Sequence, residues 1–296
     1  MQRRVLSLMA LAASACAAKP APAFVSAECS AAGPTRTLPV AIRETSGLSL
    51  SRSHPGILWT HNDSGNEPLL YALDTAGMLA GTVRVRGANL VDWEDMAAGP
   101  CDSGSCLFIA DIGDNGGKRE SVSIYMVPEP SPADSVTAPA TRFSVRYPDR
   151  PRDAEAMFVL PNGDLYIVSK GRRDSIALFR YAKEIQRADS TVTLERVRDL
   201  WPRPKSGYDR VTGATITPDG RHVAIRSYGS MFVFTSDGLL TGAAPVLTVD
   251  LKPLREPQGE SVAVSDSGHV WLTSEAGDKR NPPMMRELSC RIGGTE

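Results

Sequence analysis

The chain has 296 residues, 42% hydrophobic and 23% charged, with a formal net charge of −1. That size suits one large all-β domain or two ordinary ones, and so small a net charge gives no global pull towards nucleic acid or an acidic membrane. The 22 prolines and 25 glycines, with few long helical patterns, favour many short strands joined by turns.

The first predicted element is an address. Arg3 and Arg4 form a short basic region, and Val5 to Ala13 an apolar stretch too short to span a bilayer. Residues 1–23 therefore read as an export signal. Ala13-Ser14-Ala15-Cys16 matches a lipobox, with Ala13 where Leu is usual. Cys16 is the candidate lipidation site and the one membrane attachment expected, and cleavage after Ala23 is the alternative. The mature protein is then a periplasmic or outer-membrane-anchored lipoprotein, otherwise a secreted one. Residues 24–35 read as a linker and 36–296 as a single domain.

Five segments then follow one template, beginning at Ser46, Glu94, Glu155, Thr212 and Glu260. Each has a short apolar run, a turn rich in Pro, Gly or Asp, and a second apolar run ending in polar residues. Pro161-Asn-Gly-Asp and Pro218-Asp-Gly-Arg are the clearest turns, with Gly where a tight hairpin needs positive φ. Third strands are expected at Leu69 to Leu73, Ser123 to Val127, Ala177 to Tyr181 and Met231 to Thr235. The repeat length is that of a four-stranded propeller blade. A β-sandwich also has many short strands, but it does not require five copies of one hairpin. The expected fold is an all-β propeller of five blades, with six the alternative.

Such a ring is usually closed by mixing terminal strands. Met284 to Ile292 is the expected third strand of the last blade, and the segment near Arg36 to Ile42 the fourth. Without Cys16 the cysteines number four, an even count suited to an oxidising compartment. Four cysteines allow three pairings. Ring closure makes Cys29 and Cys290 neighbours, which leaves Cys101 with Cys106 across a hairpin tip.

In a propeller the first strand of each blade lines the central channel and the second runs back, so the start of one and the end of the other share a mouth. The first column is Ser46, Glu94, Glu155, Thr212 and Glu260, with Asp92 and Asp153 two residues before two of its glutamates. The second column is His61, Asp111, Lys170, Ser227 and Glu275. Crowded carboxylates repel unless a hard cation, shared protons or basic neighbours compensate, and an all-oxygen set suits Ca²⁺. Glu94, Glu155, Glu260, Asp92 and Asp153 are thus the candidate metal ligands. The competing reading is a salt-bridged ring that holds the blades together. Asp111-Ile-Gly-Asp114-Asn115 is either a calcium-loop fragment or an Asx-rich turn at the same mouth. His61-Asn62-Asp63-Ser64 does not make a triad, because neighbours in a strand point to opposite sides. Trp59 and Trp271 are expected between blades, Trp93 away from the carboxylates, and Trp201, among prolines, at a surface.

Asp153-Ala-Glu-Ala-Met followed by Gly-Asp-Leu-Tyr-Ile, and Gly259-Glu-Ser-Val-Ala followed by Gly-His-Val-Trp-Leu, resemble first hairpins of calcium-dependent propeller hydrolases. The groups concerned are the phytase-like "esterase-like" propeller proteins and, more distantly, the gluconolactonase-like lactonases. The resemblance implies that a channel-mouth Glu binds calcium and that calcium engages a phosphate or lactone oxygen. Carried over by position, it implies Glu94, Glu155 and Glu260 as ligands. Those families commonly have six blades, and the Glu-Gly-Pro of the lactonases is absent here.

The function expected is a metal-dependent hydrolase acting on a small anionic or ester substrate. His61, Asp111 or Glu275 would accept the proton, and Lys170, Arg226 or Arg119 would hold the substrate. The alternative is a non-catalytic envelope propeller that binds a protein or a glycan.

Overall fold

Short apolar runs on either side of Gly-rich turns carry the sequence repeat into five sheets, with antiparallel pairing within each blade. The computed structural model describes residues 27–277 and 281–293. Strands β1 (Cys29–Ala31) and β2 (Arg36–Thr37) come first. Blade 1 follows with β3 (Thr45–Leu50), β4 (Ile57–Asn62), β5 (Leu69–Asp74) and β6 (Leu79–Arg84). Blade 2 has β7 (Trp93–Cys101), β8 (Gly104–Asp111), β9 (Val122–Pro128) and β10 (Thr141–Arg146). Blade 3 has β11 (Ala154–Val159), β12 (Leu165–Ser169) and β13 (Ile176–Tyr181). The chain then adds β14 (Thr191–Thr193) to the outer edge of blade 2, parallel to β10, and returns as β15 (Glu195–Trp201) to complete blade 3. Blade 4 has β16 (Val211–Ile216), β17 (His222–Ser227), β18 (Ser230–Thr235) and β19 (Leu247–Asp250). Blade 5 has β20 (Gln258–Val264), β21 (His269–Glu275) and β22 (Met284–Cys290), with β1 and β2 both paired to β22.

The inner strands touch in a closed circle, β3–β7–β11–β16–β20 and back to β3. The five-bladed propeller expected from the repeat is therefore the fold, and the four third strands lie where the pattern placed them. The fourth strand of blade 5 is split. Its first half, β1, falls in the stretch read as linker. Cys29 faces Cys290 in the β1–β22 register and is bridged to it, and Cys101 is bridged to Cys106. In the chain-entropy view, a bridge spanning 261 residues is worth roughly 5 kcal/mol, and measured gains are often smaller. Two such bonds suit an oxidising environment outside the cytosol. The export signal and Cys16 lie outside the described residues. Among the described residues no helix is long and apolar enough to cross a membrane.

The core lies between blades, in five apolar clusters that correspond to the five interfaces. Trp59 and Trp93 pack between blades 1 and 2, and Trp271 between blades 5 and 1. Packing on both faces of every sheet leaves the ends of the ring as the places for chemistry.

Candidate functional site

Every first hairpin carries one β-bulge at the same place. The register skips Gly47, Glu94, Glu155, Thr212 and Glu260, so each stands without a cross-strand partner. A bulge bends its strand and re-aims a side chain. Here it turns Glu94, Glu155 and Glu260 into the wall of a cavity at the channel mouth. Blade 1 corrects the sequence column, because its bulged residue is Gly47 and not Ser46. Gly47 has φ +60°, and a Cβ there would sit 2.7 Å from His61 Nε2 and 2.8 Å from the backbone N of Met96. Blade 2 approaches too closely for any side chain.

The second column is corrected by the same register. Ser169 and Ser274 close their bulges opposite Ala154 and Gly259, so Lys170 and Glu275 stand one residue further out. His61 and Asp111 are themselves the closing residues, opposite Ser46 and Trp93. A slip of one residue exchanges the two faces of a strand. His61 is fully buried, edge-on to Trp93 with ring centroids 5.4 Å apart. Burial depresses its pKa to about 4, so it is a neutral packing residue and not a base at the mouth. Asp111 is buried and ion-paired to Arg119 at 2.8 Å. Arg119 also donates to Gly113 O at 2.8 Å, which removes both residues from substrate contact. Arg226 is fully buried beneath the mouth, donating to Glu256 at 2.7 Å and to Ser261 O at 3.0 Å. Asp114 accepts from the backbone N of Lys118 and Arg119, so its carboxylate ties down its own loop.

The mouth cavity has a volume of about 620 Å³, the scale of a small-molecule site. Its carboxylates are Asp63, Glu94, Glu155, Glu256, Glu260 and Glu275, facing Lys170, Arg172, Arg210 and the hydroxyls of Tyr208 and Tyr228. The sequence reading did not count Asp63, Arg172, Tyr208, Tyr228 or Glu256 towards the site. Tyr228 was legible, since it occupies in blade 4 the position that Lys170 and Glu275 hold in theirs. Tyr208 comes from the 202–210 segment, which joins the outer strand of blade 3 to the inner strand of blade 4.

These groups compensate one another unevenly. Lys170 is ion-paired to Glu155, and although burial opposes its charge, Glu155 holds its pKa above the ordinary lysine value. Glu260 accepts from Gln258 Nε2 at 2.8 Å and from Tyr228 OH at 3.3 Å. Asp153 lies 3.2 Å from Arg172 Nε and accepts from the backbone N of Asp114. Glu94 is different. It is buried, its backbone O accepts from Ser46 Oγ, and among the described residues its carboxylate has no hydrogen bond or ion pair, with only the charge of Lys170 acting on it favourably. Burial, then Glu155, Asp63 and Asp92, push its pKa well above the usual carboxylate range. A buried charge left this way is costly unless a proton or a cation neutralises it.

Oxygens of Asp63, Asp92 and Glu94 lie within 4.8 Å of one another, as do oxygens of Glu94, Asp153 and Glu155. Gly113 makes room for the first trio, because a Cβ there would sit 2.1 Å from Glu94 Oε1 and 2.4 Å from Asp92 Oδ2. An all-oxygen donor set with an uncompensated buried carboxylate fits a hard cation such as Ca²⁺.

The carboxyl pKa values set a pH dependence. Burial and then Glu275 raise Glu260 to about 8, burial and then Asp63 and Glu44 raise Glu275 to about 8, and burial raises Asp92 to about 6. A carboxyl raised in the folded state binds more protons there than when unfolded, so raising the pH withdraws stability. Without divalent cation the melting temperature should fall between about pH 5 and pH 8. Melts across that range check this, and a level or rising profile would show that the ring is already neutralised by its cations.

No family model matches the chain, and neither does any curated protein. Among solved structures it is similar to the PQQ-bound aldose sugar dehydrogenase of Streptomyces coelicolor, at TM-score 0.53 and 12% identity over 93% of this chain and 100% of that one. It is similar to a glucose dehydrogenase at TM-score 0.50 and 12% identity, covering 89% of this chain and 100% of that one. A gluconolactonase from Xanthomonas campestris aligns at TM-score 0.47 and 14% identity, over 94% of this chain and 100% of that one. At these identities the likeness is one of fold.

Proposed function

We propose that the acidic mouth is the site of a cation-dependent hydrolase for a small anionic ester, of the phosphoester or lactone type. The observation that carries this reading is Glu94, a buried carboxylate with no side-chain hydrogen bond or ion pair among the described residues, shared by two trios of oxygen ligands. Of the two, Asp63, Asp92 and Glu94 would hold Ca²⁺, because Glu155 is already neutralised by Lys170 and Asp153 faces Arg172. This replaces Glu155, Glu260 and Asp153 by Asp63 in the ligand set expected from the sequence. When bound, Ca²⁺ would supply electrophilic polarisation of a substrate oxygen.

The rest of the cavity supplies orientation and a proton. Arg210 has no ion-pair partner among the described residues and faces the cavity, so it is free to pair with a substrate anion. Lys170 and Arg172 extend that basic wall. Glu275 lines the same cavity, and in the metal-free protein burial, then Asp63 and Glu44, raises its pKa to about 8. It suits the role of proton donor to a leaving oxygen, where the sequence suggested an acceptor. The sugar dehydrogenases and gluconolactonase of similar fold act on sugars and a sugar lactone, as their names state, and sugar lactones belong among the first compounds to assay.

The Lys170–Glu155 pair favours a second reading, a self-compensated ring in a propeller that binds an envelope protein or glycan. Calcium titration by calorimetry and melting, followed by phosphoester and lactone assays with and without calcium, separates the two. One-site binding, a raised melting temperature and calcium-dependent turnover are expected. No heat and no shift at millimolar calcium would leave the self-compensated ring as the better account.

A further inference from the structure

A second cleft opens on the far side of the segment that walls the acidic cavity. It lies between blades 3 and 4, with a volume of about 380 Å³, and is lined by Ile176, Trp201, Pro202, Pro204, Val211 and Phe232. Trp201 and Phe232 pack at 4.9 Å between ring centroids, with the planes 40° apart, and form one wall. Trp201 ends β15 and Phe232 lies in β18, so the aromatic wall is held by two sheets.

Residues of the dividing segment alternate between the two cavities. Tyr208 and Arg210 face the acidic mouth, whereas Asp209 and Val211 face the apolar cleft, and Tyr228 and Ser227 divide in the same way. The partition is one chain thick. It is pinned by Gly229 N to Tyr208 O at 2.8 Å and by Val211 N to Lys170 O at 3.1 Å. A ligand of the cleft therefore occupies a site of its own.

The charges at the cleft have the opposite balance from the mouth. Arg203 and Lys205 line it, both exposed and neither ion-paired among the described residues, against the single carboxylate Asp209. An apolar slot of this size with an aromatic wall takes a flat hydrophobic body, and two free cations at its rim take an anionic substituent. We propose that this cleft is a binding site for an aromatic carboxylate, with the ring against Trp201 and the carboxylate between Arg203 and Lys205.

The test is ligand-observed NMR and calorimetry with 2-naphthoate and with its neutral analogue 2-naphthylmethanol, on the intact protein. Saturable one-to-one binding of naphthoate is expected, with a dissociation constant below about 1 mM. Arg203→Ala with Lys205→Ala should weaken naphthoate about fivefold and leave 2-naphthylmethanol unchanged. Trp201→Leu should weaken both about tenfold or more. Trp201 also packs on Phe234, so if that variant does not fold, the exposed Arg203/Lys205 pair still decides. No saturation, equal binding by every folded variant, or loss of naphthoate binding in Glu94→Gln alone would each overturn the site.

Discussion

Asp95→Ala should cost the fold about 5 kcal/mol, although the side chain touches neither the mouth cavity nor any charged partner. One oxygen of Asp95 accepts from the backbone N of Met96 at 2.8 Å. The other accepts from Met157 N at 2.8 Å and Ala214 N at 3.1 Å. Met96, Met157 and Ala214 lie on the inner strands of blades 2, 3 and 4. A single fully buried carboxyl thus ties three blades across the channel, and burial raises its pKa while the three donors oppose that rise. Alanine would strand three buried N–H groups at roughly 1–3 kcal/mol each, and entering water would recover part of the loss. At roughly 2 °C per kcal/mol for a protein of this size, the melting temperature should drop by about 10 °C. Asn should fall between, since it keeps one acceptor and turns an NH₂ towards donors. Urea melts of the three proteins check this. A loss under about 1 kcal/mol would mean that these donors find other partners, and that the three blades do not depend on Asp95.

Glu94→Gln should have the opposite profile. Calcium affinity should fall about 100-fold or more, because the charge shared by both ligand trios is gone. Calcium-dependent turnover should fall about 1000-fold with it. Stability without calcium at pH 8 should stay level or rise, since the amide fits the same space and removes an uncompensated buried acid. A residue whose replacement helps the fold and stops the chemistry is placed there for function. Calorimetry, turnover and melting on one preparation read all three. A lower melting temperature with the calcium response intact would assign Glu94 to the scaffold.

The blades were legible because a hairpin is local. Pro161-Asn-Gly-Asp and Pro218-Asp-Gly-Arg fix a turn within a few residues, and the flanking apolar runs declare two strands each. The ring closure followed because one topology must bring Cys29 to Cys290. The site was legible only to within one residue, for a physical reason. A bulge inserts a residue without any composition of its own, so matching residue types slid blade 1 from Gly47 to Ser46 and turned His61 and Asp111 to the wrong face. In blade 1 the close approach of blade 2 had removed the side chain that would have marked the column. Arg226 and Arg119 looked free because nothing along the chain announces Glu256 or Asp111 as their partners. Asp95 was passed over beside Glu94, although its counterparts Leu48, Ala156, Gly213 and Ser261 carry no charge, and that contrast was the available signal.

The split fourth strand of blade 5 also has a consequence for the order of events during synthesis. β1 and β2 emerge early and have no sheet to join until β22 emerges. Four blades can pair their own strands as they appear, but the fifth must wait for almost the whole chain. Contacts so distant in sequence form last and slowly. If they close only in an oxidising compartment, the Cys29–Cys290 bond records that closure covalently. The same chain held in a reducing cytosol would lack the latch and the stability it adds. The bond is then a record of arrival as much as a brace.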